Sequence, residues 1–173
     1  MSEIKIIPVT DSELEKLKHL SIKTFQETFS DQNTDNNMNE YLRLNMNSTK
    51  LLNELKNPNI EFYFACNKTS LIGYLKLNYK DAQTENILEN KTFEIERIYL
   101  LKTFQNMGYG KQLFNKIVSI GKLKGYRRLW LGVWEHNLPA IKFYKKLKLK
   151  IFDKHDFILG NDIQTDFLMK FDF

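Results

Sequence analysis

Residues 93–101, 108–125 and 128–134 constrain this chain more than any other stretch. The first and last are short apolar runs of strand character, and between them Leu113, Phe114, Ile117, Val118, Ile120 and Leu123 recur at the spacing of one helix face. A strand that leaves through a helix and returns as a strand predicts two parallel neighbours in one sheet, joined by a right-handed crossover. The chain is thereby committed to a layered α/β arrangement.

The link from the first strand to the helix reads Gln105-Asn106-Met107-Gly108-Tyr109-Gly110-Lys111. Glycines separated by one residue permit backbone angles closed to other residues and let a ligand approach the main chain. The N–H groups that open the following helix then offer positive potential to an anion, and a pyrophosphate fits that geometry. A tight turn made by the two glycines is the alternative that the loop alone leaves open. It is not a Walker A loop, because Gln105 stands where the first glycine is required and Gln112 where Ser or Thr is required. It is not a dinucleotide fingerprint either, since Leu113 replaces the third glycine.

The remainder builds around that unit. Residues 4–9 predict a first strand, and Thr10-Asp11-Ser12-Glu13 matches the capping box of a long helix carrying Leu14, Leu17, Leu20, Phe25 and Phe29. After a polar, turn-rich stretch at 30–37, Met38, Tyr41 and Leu42, then Leu51, Leu52 and Leu55, predict two shorter helices ended by Pro58. Residues 60–66 and 71–79, separated by Asn67-Lys68-Thr69-Ser70, predict an antiparallel hairpin, and 81–91 a polar loop. Asn137 is placed to cap a helix bearing Ala140, Ile141, Phe143, Tyr144 and Leu147, with Pro139 in its first turn. Residues 151–159 and 164–171, joined through Gly160-Asn161-Asp162, predict a closing hairpin. No linker or repeat divides the order, so a single domain is expected over residues 1–173.

Lys and Arg number 26 against 21 Asp and Glu, a net charge of +5 that suggests an anionic partner, with a solvated basic surface as the alternative. The charge is dispersed outside the lysines of 142–150 and no nucleic-acid motif is present, so a phosphorylated cofactor is expected and nucleic acid is not. No apolar run reaches the roughly 18 residues that span a bilayer, and Met1-Ser2-Glu3 lacks the order of a secretory signal, so a cytoplasmic protein without a membrane partner is expected. Cys66, the single cysteine, has no internal disulfide partner and reads as an inert thiol rather than a nucleophile. His19, His136 and His155 are scattered without metal-ligand spacing, so no metal is expected, and His136 and His155 read as surface or hydrogen-bonded residues before bases.

Gln105-x-x-Gly108-x-Gly110 after an apolar strand, followed by Asn137-x-x-Ala140-x-x-Phe143-Tyr144, resembles the GCN5-related N-acetyltransferase superfamily. Thr24-Phe25-x-Glu27-Thr28-Phe29, Asn33-Thr34, Gly73-Tyr74-Leu75-Lys76, Glu96-Arg97-Ile98-Tyr99, Trp130-Leu131-Gly132-Val133-Trp134-Glu135 and Gln164-Thr165-Asp166 are similar to the bacterial spermidine/spermine N-acetyltransferases. The resemblance implies a central mixed, mostly antiparallel sheet with helices on both faces, and acetyl-CoA as cosubstrate. It implies a cofactor site made by the main chain of Ile98, Tyr99 and Leu100, by Gln105, Asn106, Met107, Gly108, Tyr109, Gly110 and Lys111, and by Asn137, Ala140 and Tyr144. Tyr144 would protonate the departing thiolate and Glu96 would act as base, directly or through water. The implied reaction is direct acetyl transfer to a primary amine of a polyamine within a ternary complex. A non-catalytic binder of acetyl-CoA or polyamine on the same fold, and an enzyme acting on protein N-termini or another small amine, stay open, as does a homodimer. In one place the chain departs from the pattern: Lys148-Leu149 stands where related chains carry Gly-Phe.

The chemistry sets its own demands. A primary amine with a pKa of about 10 is mostly protonated at neutral pH, so a carboxylate is the natural base. Glu94 and Glu96, two apart on a strand, are expected to share a face with Ile98 and Leu100, and both also read as surface or ion-paired carboxylates. Tyr144 follows Phe143, and helix neighbours point about 100° apart, so both rings should not face the core. In a chain of net positive charge a polyamine needs a local acidic patch. Glu27 and Asp31, four apart on the expected first helix, with Asp35, Glu40, Glu94 and Glu96, are the candidates, and a merely solvated acidic face is their alternative.

Overall fold

The computed structural model describes residues 3–68, 70–87 and 91–173. The chain forms β1 (Lys5–Pro8), α1 (Leu14–Phe29), α2 (Asp35–Asn45), α3 (Ser48–Lys56), β2 (Ile60–Cys66), β3 (Leu71–Tyr79), β4 (Thr92–Leu100), α4 (Tyr109–Leu123), β5 (Arg128–Trp134), α5 (Leu138–Lys146), β6 (Lys150–Leu159) and β7 (Asp162–Asp172). The seven strands lie in the order β1-β2-β3-β4-β5-β7-β6, and β4 with β5 is the one parallel pair among the described residues. The expected mixed, mostly antiparallel sheet with helices on both faces is the fold observed.

Alternation along the strands explains the two layers. Phe93, Ile95, Leu129, Leu131 and Val133 point to one face, where Leu113, Phe114 and Ile117 of α4 and Ile141 of α5 complete the larger core. On the opposite face Leu17 and Leu20 of α1 and Leu51 of α3 pack on Phe62, Phe64 and Tyr74. A third cluster, Phe25, Met38, Leu42, Met46 and Leu159, ties α1 and α2 to the far end of β6. Complete burial of a side chain such as Leu17 or Ile117 contributes about 2 kcal/mol. Leu123 departs from the expected face of α4: it is 89% exposed at the helix end, and Gly121 takes the buried position.

Local starts and stops follow side-chain chemistry. Thr10 and Glu13 form the reciprocal capping box, which opens a short 3-10 turn (Asp11–Glu13) before α1. Residues 30–37 are not wholly irregular, because the Thr34 hydroxyl accepts from the Asn37 N–H and starts α2 at Asp35. The β6–β7 hairpin turns at Gly160, whose φ of +63° is open to glycine, and a β-carbon there would stand 2.4 Å from Asn37 Oδ1. That close approach docks the hairpin tip on α2.

Candidate active site

The parallel pair is incomplete. Thr92, Phe93 and Glu94 pair with Arg128, Leu129 and Trp130, and beyond them residues 95–100 of β4 and 131–134 of β5 run on without pairing to each other. The cause lies one strand away: Lys76 of β3 pairs with Arg97 and Leu77 with Ile95, leaving Glu96 as an extra residue in β4. Such a bulge bends and twists its strand, and here it swings the end of β4 away from β5. The main-chain groups on the inner edges of the resulting wedge need partners from solvent or a ligand. Ile98, Tyr99 and Leu100 line its β4 side.

The bulge overturns one expectation. Glu94 and Glu96 do not share a face with Ile98 and Leu100. Ile95 and Ile98, three residues apart, both pack in the α4–α5 core, so the alternation shifts by one at the bulge. Glu94, Glu96 and Tyr99 lie on the α1–α2–α3 side instead.

At the wide end of the wedge stands the glycine loop. Gly108 caps α4 at φ +77°, Asn106 is also left-handed at φ +59°, and no side chain caps the first turn. The opening N–H groups of α4, those of Gly110 and Lys111 among them, have no carbonyl within the helix to meet. A β-carbon on Gly110 would stand 3.1 Å from the Phe143 ring, so the second glycine lets α4 pack on α5. Gln105 turns back to donate to the Leu100 carbonyl at 3.0 Å, Met107 is half-exposed, and the Tyr109 ring is buried against Phe104, leaving its main chain toward the loop.

From α5, Asn137 accepts from the Ala140 N–H at 3.2 Å as the helix cap. Tyr144 is buried, and burial alone pushes its phenol up from the usual range; Tyr99, across the sheet, lies near enough to feel it. The departure at Lys148 is accommodated without glycine. Lys148 takes φ +72°, its N–H reaches the Lys145 carbonyl at 3.0 Å, and the Leu149 N–H reaches the Tyr144 carbonyl at 3.1 Å. This is a Schellman ending built on lysine, and it fixes the main chain of Tyr144.

The acidic candidates separate sharply. Glu94 accepts from the Thr84 N–H and hydroxyl and from Asn78 at 2.8, 2.6 and 3.0 Å, and burial outweighs these bonds to push its carboxyl up to about 7. Glu96 is half-buried, and Arg97 and Lys76 overcome the desolvation that would raise it and hold it down to about 2. Lys76 Nζ sits 2.5 Å from Glu96 and 3.0 Å from Glu54, Arg97 lies 3.4 Å from Glu96, and Asn78 donates to Glu96 at 2.6 Å. Glu27 accepts from the Lys102 N–H at 2.7 Å and so ties α1 to the loop after β4. Asp31 does not lie on the α1 face with Glu27, because α1 ends at Phe29 and Asp31 falls in the 3-10 turn Ser30–Gln32, exposed. Cys66 is half-buried rather than buried, its thiol pushed up by desolvation.

Sequence reasoning singled out Gln164-Thr165-Asp166 without giving it a role. Asp166 proves to sit at the open end of β5, opposite Trp134 and beside His155. Lys76 and Arg97, the counter-ions of Glu96, were likewise unassigned, although both are buried charges, which require partners.

A sheet opened between its parallel strands, with an uncapped helix start at one mouth and carboxylates on the opposite face, defines a class of transferase folds. A sequence profile described as Acetyltransferase (GNAT) family matches residues 14–148, and the chain belongs to that family. It is 43% identical to an N-acetyltransferase of the pepI 3' region of Lactobacillus delbrueckii subsp. lactis, with 98% of each chain covered. It is 28% identical to the spermidine N(1)-acetyltransferase of Thermoplasma acidophilum, over 94% of this chain and 99% of the other. The crystal structure of the PaiA N-acetyltransferase from Thermoplasma acidophilum in complex with coenzyme A shares the fold, with a TM-score of 0.80 at 24% identity over 99% of both chains.

Proposed function

We propose that the protein transfers the acetyl group of acetyl-CoA to a primary amine of a polyamine such as spermidine, directly and within a ternary complex. The observation that carries this reading is the wedge: an extended, amide-bearing arm can lie along the unpaired edge of β4 as an added strand. Its pyrophosphate then meets the start of α4, where the open N–H groups and the helix dipole favour an anion. In this reading the main chain of Ile98, Tyr99 and Leu100 holds the arm, and Gln105 through Lys111 form the phosphate loop. Asn137 and Ala140 set the start of α5, which carries Tyr144 to the reacting end. The similarity to a spermidine N(1)-acetyltransferase supports the polyamine as acceptor.

The residues divide the chemistry. Tyr144, with its phenol kept protonated by burial, donates a proton to the thiolate as it leaves; burial that weakens the phenol as an acid also raises the proton affinity of a thiolate formed in the same site. Glu96, held near 2, is a poor proton acceptor at neutral pH, because an efficient base has a pKa near the working pH. Its part is a fixed negative charge that orders the water through which the ammonium proton departs. The test is incubation with acetyl-CoA and a panel of spermidine, n-butylamine and a peptide with a free N-terminus, following free thiol and product mass together. Thiol release matched by acetylated spermidine is the expected result. Acetyl-CoA binding without thiol release for any amine would make the protein a non-catalytic binder.

A further inference from the structure

We propose that Asp166 is the acceptor-binding carboxylate, the group that receives the protonated amine at the floor of the wedge. This deepens the acetyl-transfer reading and rests on it.

The first observation is an exposed residue in an interior strand. Gly132 lies in β5, between buried Leu131 and Val133, yet it is open to solvent. It carries no side chain, and β4 has moved away from it, so the sheet has a bare patch of main chain on its α1–α2 side. Asp166 and His155 border that patch: a β-carbon on Gly132 would stand 3.2 Å from Asp166 Oδ2 and 3.6 Å from His155 Nε2.

The second observation is how little of Asp166 is used. The two carboxylates that β4 brings to this face are committed, Glu94 to Thr84 and Asn78, and Glu96 to Lys76, Arg97 and Asn78. Asp166 is 14% exposed and its Oδ2 lies 3.7 Å from His155 Nε2, while its Oδ1 is buried and accepts no hydrogen bond among the described residues. A buried acceptor left unsatisfied costs about 1 to 3 kcal/mol, which an ammonium at the Gly132 patch would recover once the carboxylate turns to meet it. His155 does not cancel the charge. Its other nitrogen lies 2.6 Å from Glu85, and Asp166 and Glu85 together push the imidazole up to about 9, so one cation serves two carboxylates and one negative charge remains.

The walls suit the same ligand. Trp134 pairs across the strands with Asp166, and Phe29 meets its ring edge-on at 6.2 Å. Tyr41, near enough for Asp166 to influence its phenol, closes the α2 side. Aromatic faces around a carboxylate favour an alkylammonium over a neutral amine or an anion.

The test is calorimetric titration of spermidine into the CoA-loaded protein, paired with steady-state acetylation. Asp166→Asn should weaken spermidine binding and raise its KM by about tenfold or more, the scale of a lost charged hydrogen bond, while CoA affinity is unchanged and Asp166→Glu recovers part of the loss. Gly132→Ala keeps every charge and adds one methyl to the floor, so it carries the test should Asp166→Asn fail to fold. It should raise the spermidine KM by about tenfold, within the usual range for one methylene in a fitted pocket. A spermidine affinity and KM untouched by both substitutions, in a protein that still acetylates spermidine, overturns the assignment of Asp166 and leaves the transferase reading standing. A wild-type protein that binds CoA but neither binds nor acetylates spermidine overturns the polyamine reading and, with it, this assignment.

Discussion

The two ends of β4 have opposite characters. From Thr92 to Glu94 the strand is buried and paired with β5; from Ile98 to Leu100 it is only half-buried and has no neighbour across the wedge. Their carboxylates diverge in the same way, Glu94 pushed up to about 7 by burial and Glu96 pulled down to about 2 by Arg97 and Lys76. The paired end is an ordinary sheet interior that tolerates a carboxyl only by hydrogen-bonding it fully. The open end gives up ladder hydrogen bonds and requires a buried ionic brace to hold its shape. The site lies where the sheet is least complete, and the energy that sustains it is concentrated at the bulge.

The most direct way to break this contrast is to remove the brace. Lys76→Met strips Glu54 of its cation and leaves Glu96 with Arg97 alone, and the expected loss is about 3 kcal/mol in chemical denaturation. Lys124→Met at the exposed pair with Glu61 should cost less than about 1 kcal/mol, and equal losses at the two lysines would remove the special standing of the bulge. Tyr144→Phe tests the open end alone. Turnover should fall by about 100-fold, roughly 3 kcal/mol of activation free energy, with CoA affinity and melting temperature nearly constant. Turnover equal to wild type would return Tyr144 to a packing role.

Titration separates the two carboxylates by sign. Glu96, with its pKa lowered from 4.5, contributes stability that is present above 4.5 and lost as pH falls toward 2. Glu94, with its pKa raised, contributes stability that is full below 4.5 and lost as pH rises through about 7. Glu94→Gln should therefore flatten the decline of stability between pH 4.5 and 7, by on the order of 3 kcal/mol, and leave the acid limb in place. An unchanged slope over that interval would show that Glu94 does not titrate there. The smallest effect is expected at the Schellman ending, where Lys148→Gly relieves a left-handed residue at φ +72° and should stabilise by about 1 kcal/mol. A loss of stability there would mean that the lysine side chain contributes more than its backbone costs.

Elements with strong local signals were legible in the sequence. The crossover from β4 through α4 to β5, the β2–β3 and β6–β7 hairpins and the capped start of α5 follow from spacing, turn residues and Asn137. What escaped depends on partners distant in sequence. The bulge at Glu96 arises from how β3 registers against β4, and no pattern within 93–101 announces it, so the face shared by Glu94 and Glu96 was assigned by an alternation that does not persist. Glu27 gives no local sign that it binds the Lys102 N–H 75 residues away, and His155 none that it meets Glu85. The glycine loop was legible because its geometry is local; the proposed acceptor side was not, because it is assembled from α1, α2, β5, β6 and β7.

The extra residue at Glu96 also works like a frameshift written into the sheet. Upstream of it, odd-numbered positions of β4 face α4; downstream, even-numbered positions do. A one-residue deletion anywhere between Ile95 and Ile98 would restore strict alternation with Ile98 and Leu100 still on the α4 side, so the apolar pattern would survive while the bulge that parts β4 from β5 would be lost. Length is therefore a heritable constraint on this strand independent of composition, and insertions tolerated in the polar loop before it would scramble both layers if moved a few residues on.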